Sequence, residues 1–322
     1  MNRKIRSVWN TALPLFLLAA LLLSSGAAAE GCRRALAVCA RLIVPSLFPF
    51  FVLSFYCTAL GLPGVLGRLL APAAMRLYGI SGPGASALLI GLTGGYPAGA
   101  AYIADMEKSG AVSTAEAERL LAFCNNSGPA FLVGAVGIGI FHSAAAGLLL
   151  YAVHVAAALL TGLFFRRRAR FEDIPPVFLD AVEPAAALSQ AVRRSVAAVL
   201  NVCGFVVCFS VLLAVLDGGG ALSLLCGFLS VRFRWALPVS RALLAGFFEL
   251  GSGTAAMEGL ALSPATLALA AFLTGWGGLS VYFQTLSLLS DCKAKGALHL
   301  TGRLLCASIG AVLAYLAGSI LC

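Results

Sequence analysis

Apolar residues run along this chain in blocks about as long as a bilayer is thick, and polar residues fall between the blocks or, in four places, inside them. The blocks cover residues 8–29, 36–60, 83–106, 115–140, 143–165, 192–216, 237–262, 264–290 and 298–321. A spanning helix needs roughly 20 apolar residues, and these runs are continuous, without the alternation that a lipid-facing strand requires. The pattern therefore predicts an all-α membrane protein.

The four internal interruptions carry most of the information. Two lie in the first half, at 91–99 (around Gly94, Gly95, Tyr96, Pro97 and Gly99) and at 125–129 (Asn125, Asn126, Ser127, Gly128 and Pro129). Two lie in the second, at 249–254 (Glu249, Ser252, Gly253 and Thr254) and at 274–280 (Thr274, Trp276, Gly277, Gly278 and Ser280). Irregular backbone is tolerated at membrane depth only where it is buried in protein or lines a cavity. Paired interruptions in corresponding positions of two halves point to a transporter's binding site.

Charge orders these blocks across a membrane. Arg3, Lys4 and Arg6 precede the first block and Arg166, Arg167, Arg168 and Arg170 follow the fifth, so both groups are expected on the cytoplasmic side. The path then runs as a first helix at 8–29, a second at 36–60 kinked by Pro45 and Pro49, and an interfacial connector at 61–79. A hairpin at 83–106 turns at Gly94 to Pro97, a helix capped at Ser113 or Thr114 passes through the Asn125 to Pro129 break, and a helix at 143–165 returns. The second half repeats this order with a helix at 192–216, a connector at 221–235, a hairpin at 237–262, a helix broken at 275–278 and a last helix at 298–321. The first hairpin enters from inside and the second from outside. This reading gives an inverted repeat with about seven full transmembrane helices and two re-entrant hairpins, divided as an N-terminal helix 1–30, a first repeat 31–165, a cytoplasmic linker 166–190 and a second repeat 191–322. The N-terminus is cytoplasmic and the C-terminus outside. The N-terminal block also fits a cleavable signal peptide ending at Ala27 to Ala29, but the charge count works best with it retained.

Composition agrees with this solvent and excludes others. Hydrophobic residues make up 61% of the 322 and charged residues 11%, with a mean hydropathy of +0.98; a soluble domain is about a quarter charged. The net charge of +9 sits in short groups between spans, which fits topology and gives no reason to expect nucleic acid. Ten cysteines show no CxxC spacing and three histidines, His142, His154 and His299, are dispersed, so no metal site is expected.

Candidate chemistry follows from the breaks. Each exposes carbonyls at the end of one half-helix and amides at the start of the next. The amides of Ala98 and Gly99, Ser127 and Gly128, Gly253 and Thr254, and Gly278 to Ser280 suit an anionic group. Side chains of Asn125, Asn126, Ser127, Ser252, Thr274 and Ser280 add neutral donors. Tyr96 and Trp276 either stack on a planar ring or serve packing and anchoring. Glu249 lies about a dozen residues into an apolar block, where a carboxylate is expensive unless paired, hydrated or protonated. It either couples transport to a proton or cation or pairs with Arg241, which could instead meet a substrate carboxylate. Arg303, just inside the last helix, is expected to snorkel to the cytoplasmic face.

The Gly94-Gly95-Tyr96-Pro97 turn, the Phe123-Cys124-Asn125-Asn126-Ser127-Gly128-Pro129 segment and the later Glu249-Leu250-Gly251-Ser252-Gly253 and Gly277-Gly278-Leu279-Ser280 turns resemble the YlbJ (SpoVV) sporulation integral membrane proteins, within the nucleoside-recognition or Gate group. The likeness covers nearly the whole chain, in order. Gate sequences are similar to the core of concentrative nucleoside transporters, in which two hairpins and two broken helices surround the substrate. The resemblance implies alternating-access passage of a small polar molecule, dipicolinate in the sporulation branch, across the mother-cell membrane, with nucleosides as the alternative cargo. It implies a small-molecule substrate and a lipid bilayer as partners, no cofactor beyond a coupling ion, and leaves room for a homo-oligomer.

Two other classes compete. Gly251-Ser252-Gly253 resembles an intramembrane protease serine with His299 as base, but Leu250 stands where a Gly-x-Ser-x-Gly elbow needs glycine. A non-transporting scaffold leaves the paired breaks without a purpose. The four-residue spacing of Gly91, Gly95 and Gly99 also serves close helix packing, although Pro97 favours a turn.

Overall fold

The computed structural model describes residues 3–166 and 183–321, with side chains throughout except in the first part of the N-terminal helix. Helices account for almost all of the described residues, and no strand occurs among them. Arg167, Arg168, Arg170 and the rest of the linker core lie outside the described residues.

The N-terminal segment, residues 3–59, departs from the expected pair of helices. Helix α1 (Arg3–Leu23) ends at Ser24, and α2 (Ser25–Val38) continues through a π-helical turn (Cys39–Ile43) into α3 (Val44–Ala59). These last three form one 35-residue stretch. Two effects carry the helix through the polar patch that the sequence reading treated as a loop. Glu30 pairs with Arg33 and Arg34 one turn on, an arrangement that supports a helix. The π turn sits directly before Pro45, where a missing N–H and a bulky ring would otherwise disrupt the ladder.

From there the halves run in parallel order. Helix α4 (Leu62–Tyr78) is bounded by left-handed Gly61 and Gly79. Helices α5 (Gly82–Gly94) and α6 (Ala98–Lys108) form the first hairpin, and α7 (Thr114–Phe123), capped by Ser113, unwinds over 124–129 before a π-helical segment (Ala130–Ile140). Helix α8 (Ala144–Phe164) closes the half. In the second half α9 (Pro184–Gly218) corresponds to the long α2–α3 stretch and α10 (Ala221–Phe233) to α4. Helices α11 (Leu237–Phe248) and α12 (Leu250–Ala255) form the second hairpin. The broken pair α13 (Pro264–Trp276) and α14 (Gly278–Leu288) hinges at left-handed Gly277, and α15 (His299–Leu321) ends the fold.

Five helical stretches among the described residues are long and apolar enough to span: Ser25–Ala59, Ala144–Phe164, Pro184–Gly218, Pro264–Leu288 and His299–Ile320. The sequence count of about seven also included the N-terminal block, whose side chains are described only in part, and the 115–140 path, which unwinds at its middle. The long helices α2–α3 and α9 pack along each other, while α8, α13 and α15 pack together on the other side of the hairpins. Their outer faces carry exposed leucines and phenylalanines such as Phe50, Leu53, Leu200 and Leu316, as a lipid-facing surface should.

Candidate functional site

All four interruptions meet at the centre of the molecule. Gly95 at the first hairpin tip lies against Gly128 of the first broken helix: a Cβ on Gly95 would fall 2.7 Å from the Gly128 nitrogen. With a φ of +74° at Gly95, this close approach requires glycine. The Tyr96 hydroxyl donates to the carbonyl of Thr274 at 3.3 Å, and Ser127 Oγ donates to the same carbonyl at 3.0 Å. This carbonyl is orphaned because α13 stops at Trp276, and donors from the other half satisfy it. Gly278 in turn packs on the second tip, within reach of the Leu250 nitrogen and the Phe248 carbonyl.

A buried arginine holds this junction from behind. Arg303 is 1% exposed; its Nη1 donates to Tyr96 Oη and to Asn126 Oδ1, each at 3.1 Å, and its Nη2 to the Ala122 carbonyl at 3.0 Å. The expected snorkelling is thus overturned. Arg303 sits one turn into α15, but α7 packs against α15, and Glu118 of α7 also accepts from the Lys295 and Gly296 N–H groups just before α15. A buried cation needs acceptors; the unwound end of α7 supplies two of them, Asn126 Oδ1 and the Ala122 carbonyl, and the hairpin tip a third, Tyr96 Oη, while Nε stays without a partner.

Asn125 and Asn126 spend their amides on holding the break open. Asn125 accepts from Ala100 N–H and donates to Thr285 Oγ1 at 2.9 Å, while Asn126 Nδ2 donates to the Phe123 carbonyl at 2.8 Å. Several amides expected to greet an anion are likewise engaged: Ala98 and Gly99 bond to the Gly95 carbonyl, Ser127 N–H to His154 Nε2, and Gly253 to the Glu249 carbonyl. Tight turns consume the amides they expose, which sequence spacing does not show.

A cavity of about 50 Å³ remains between the breaks. Its polar wall is Gly95, Tyr96, Ser127, Gly128, Glu249, Gly251, Ser280 and Gln284, and its apolar wall includes Leu47, Phe131 and Val281. Ser280 and Gln284 are each 1% exposed, and Ser280 Oγ and Gln284 Oε1 have no hydrogen-bond partner. Buried polar atoms are nearly always paired, so two orphans on one wall mark a place for a solute or water. Gln284 was missed from the sequence. Its place four residues after Ser280 on a helix, hence on the same face, was the available signal.

Glu249 is 2% exposed and does not pair with Arg241. Its carboxylate caps α12, accepting from Gly251 N–H at 2.8 Å and from Ser252 N–H, a favourable use of an acid at a helix start. Arg241 instead pairs with Asp217 at the end of α9. The reason is geometric: Arg241 lies in the first half of α11, beside Asp217, and Glu249 lies beyond its last turn.

Other expected site residues serve the scaffold. Trp276 stacks on Phe247 with ring centroids 5.4 Å apart and its Nε1 donates to the Phe247 carbonyl, so its ring is spent on packing. Thr254 and Thr274 hydroxyls bond back within their own helices. Gly99 and Gly253 permit close helix contacts; a Cβ on Gly253 would lie 2.1 Å from Gly246 Cα. Gly277 carries the left-handed hinge, and Pro97 opens α6 after a cis peptide with Tyr96. Ser252 Oγ pairs with Ser210 Oγ at 3.0 Å, whereas His299 Nδ1 is engaged with the Leu121 carbonyl, so no serine–histidine pair forms here.

Two hairpins and two broken helices thus enclose a polar cavity within an apolar exterior, the arrangement of an integral membrane protein with a transporter-like fold. The fold matches a solved structure of CNTnw, a concentrative nucleoside transporter with two substitutions in an outward-facing state, with a TM-score of 0.55 over 98% of this chain and 86% of that one at 12% sequence identity. No protein-family model matches the chain. It is 31% identical over 327 residues to the sporulation integral membrane protein YlbJ of Bacillus subtilis (strain 168), covering 94% of this chain and 80% of the relative. The chain belongs to the YlbJ family of sporulation integral membrane proteins.

Proposed function

We propose that this protein transports a small polar aromatic carboxylate, dipicolinate, across the membrane of a spore-forming cell by alternating access around the central cavity. The observation that carries this reading is the convergence of four helix breaks from both halves on one cavity whose Ser280 and Gln284 oxygens are unpartnered. Ser280 Oγ can donate to a carboxylate, and Gln284 can bond to a carboxylate or ring nitrogen by presenting either end of its amide. Leu47, Phe131 and Val281 provide apolar contact for the ring. Glu249, on the same wall, is the coupling site: a proton or cation bound there offsets the repulsion between its carboxylate and an anionic solute.

The two halves are read as inverted repeats, with α5–α6 entering from the cytoplasmic side, α11–α12 from outside, and the C-terminus outside. At about 50 Å³ the cavity is smaller than the roughly 300–1,000 Å³ of ligand pockets, so loading requires one wall to move. The neutral Ser280 and Gln284 also suit ribose hydroxyls, which keeps nucleosides as the second reading.

The test is a proteoliposome uptake panel of labelled dipicolinate, nucleosides and simple carboxylates. Saturable uptake of dipicolinate, competed poorly by nucleosides, is expected. Saturable nucleoside uptake with indifference to dipicolinate reverses the ranking, and no saturable uptake of any solute removes transport.

A further inference from the structure

A second cavity, about 300 Å³, lies between α2, α9 and the second hairpin. It shares Val206 with the central cavity, and the thin helix α12 divides the two. Gly251 faces the centre and Ser252, the next residue, faces the second cavity. The Ser210–Ser252 hydroxyl pair fastens this partition to α9. At its other end the second cavity is lined by Arg34, Asp217 and Arg241.

We infer that this cavity is an anion vestibule, in which Arg241 receives a carboxylate of the solute before α12 moves aside and admits it to the central site. The inference rests on the transport reading above and adds a second binding site to it. Three features support it. The Arg241–Asp217 pair is partly open to solvent, with side-chain exposures of 50% and 29%, and ion pairs this accessible are weakly held. Asp217 also accepts from Ser223 Oγ at 3.1 Å, so it keeps a partner when Arg241 turns to an incoming carboxylate. Arg34 adds a second positive charge to the wall, its tie to Glu30 being a long 3.8 Å contact on the exposed helix face. An incoming carboxylate thus replaces Asp217 on a guanidinium, an exchange of like for like, and the bidentate fork suits either acid.

The test does not depend on which solute is transported. In the full chain in proteoliposomes, Ala255→Cys places a thiol on the vestibule wall, and its modification by a sulfonate-bearing and by a trimethylammonium-bearing methanethiosulfonate is followed by peptide mass spectrometry. A positively lined cleft concentrates anions by about tenfold or more. The sulfonate reagent should therefore react about tenfold faster relative to its rate on free thiol, and Arg241→Gln should remove most of that preference. Asp217→Asn should enlarge it. Equal relative rates, or a preference unchanged by Arg241→Gln, would overturn the vestibule. The substrate reading is judged separately by the uptake panel: a vestibule that selects anions alongside a panel that rejects dipicolinate sinks only the latter.

Discussion

The two hairpin tips occupy corresponding places in the two halves and are held in opposite ways. The first is tied to the other half of the molecule, Tyr96 bonding to Arg303 of α15 and to the Thr274 carbonyl of α13, while Gly95 lies against Gly128 of its own half. The second is held within its own half, by itself and by α13, whose Trp276 stacks on Phe247 and donates to its carbonyl. Glu249 caps its own helix through the Gly251 and Ser252 amides, and the tip's side-chain bond to α9 is one hydroxyl pair. A tip secured by local bonds can move without breaking the core, whereas one secured by cross-half bonds cannot. The difference predicts that α11–α12 is the more mobile of the two tips and α5–α6 the more rigid.

Substitutions that cut each kind of tie should separate the tips. The largest effect is expected from Arg303→Met, which leaves Tyr96, Asn126 and the Ala122 carbonyl short of a donor and should cost roughly 3 kcal/mol. It should appear as a clear fall in the melting temperature of the whole protein in detergent. Gly95→Ala, which sets a Cβ 2.7 Å from the Gly128 nitrogen at a positive φ, should cost about 2 kcal/mol and also melt globally. Glu249→Ala should behave differently. Loss of the α12 cap costs about 1 kcal/mol, read as faster hydrogen exchange confined to the second tip, with exchange at Tyr96 and Ala98 unchanged. Smallest of all, Trp276→Phe keeps the stack on Phe247 and loses one hydrogen bond, a cost of about 1 kcal/mol, with the KM for solute unaltered. Global melting on Glu249→Ala, or purely local loosening on Gly95→Ala, would erase the distinction between the tips.

The breaks were legible because glycine, proline and amide side chains stand out inside lipid-grade sequence, and the same residues form the turns in the fold. Their side-chain and amide roles were less legible. Asn125 and Asn126 look like ligand groups on any sequence reading, yet unwinding α7 leaves carbonyls and amides that these side chains must first satisfy. Arg303 sits near a helix start, where a long cation ordinarily reaches interfacial water. The packing of α7 against that start, with Asn126 and the Ala122 carbonyl as acceptors, turns it inward. Arg241 and Glu249 are two turns apart on paper, and the bend at Glu249 takes the acid out of α11 altogether.

Uptake of labelled dipicolinate into proteoliposomes by the native protein and by a Ser280→Ala, Gln284→Ala double variant tests most directly whether the central cavity is the solute site. Loss of two hydrogen bonds to the solute should raise KM by about tenfold or more while the melting temperature stays near that of the native protein, because neither oxygen has a partner within the fold. Saturable uptake with the same KM in both proteins would contradict the assignment.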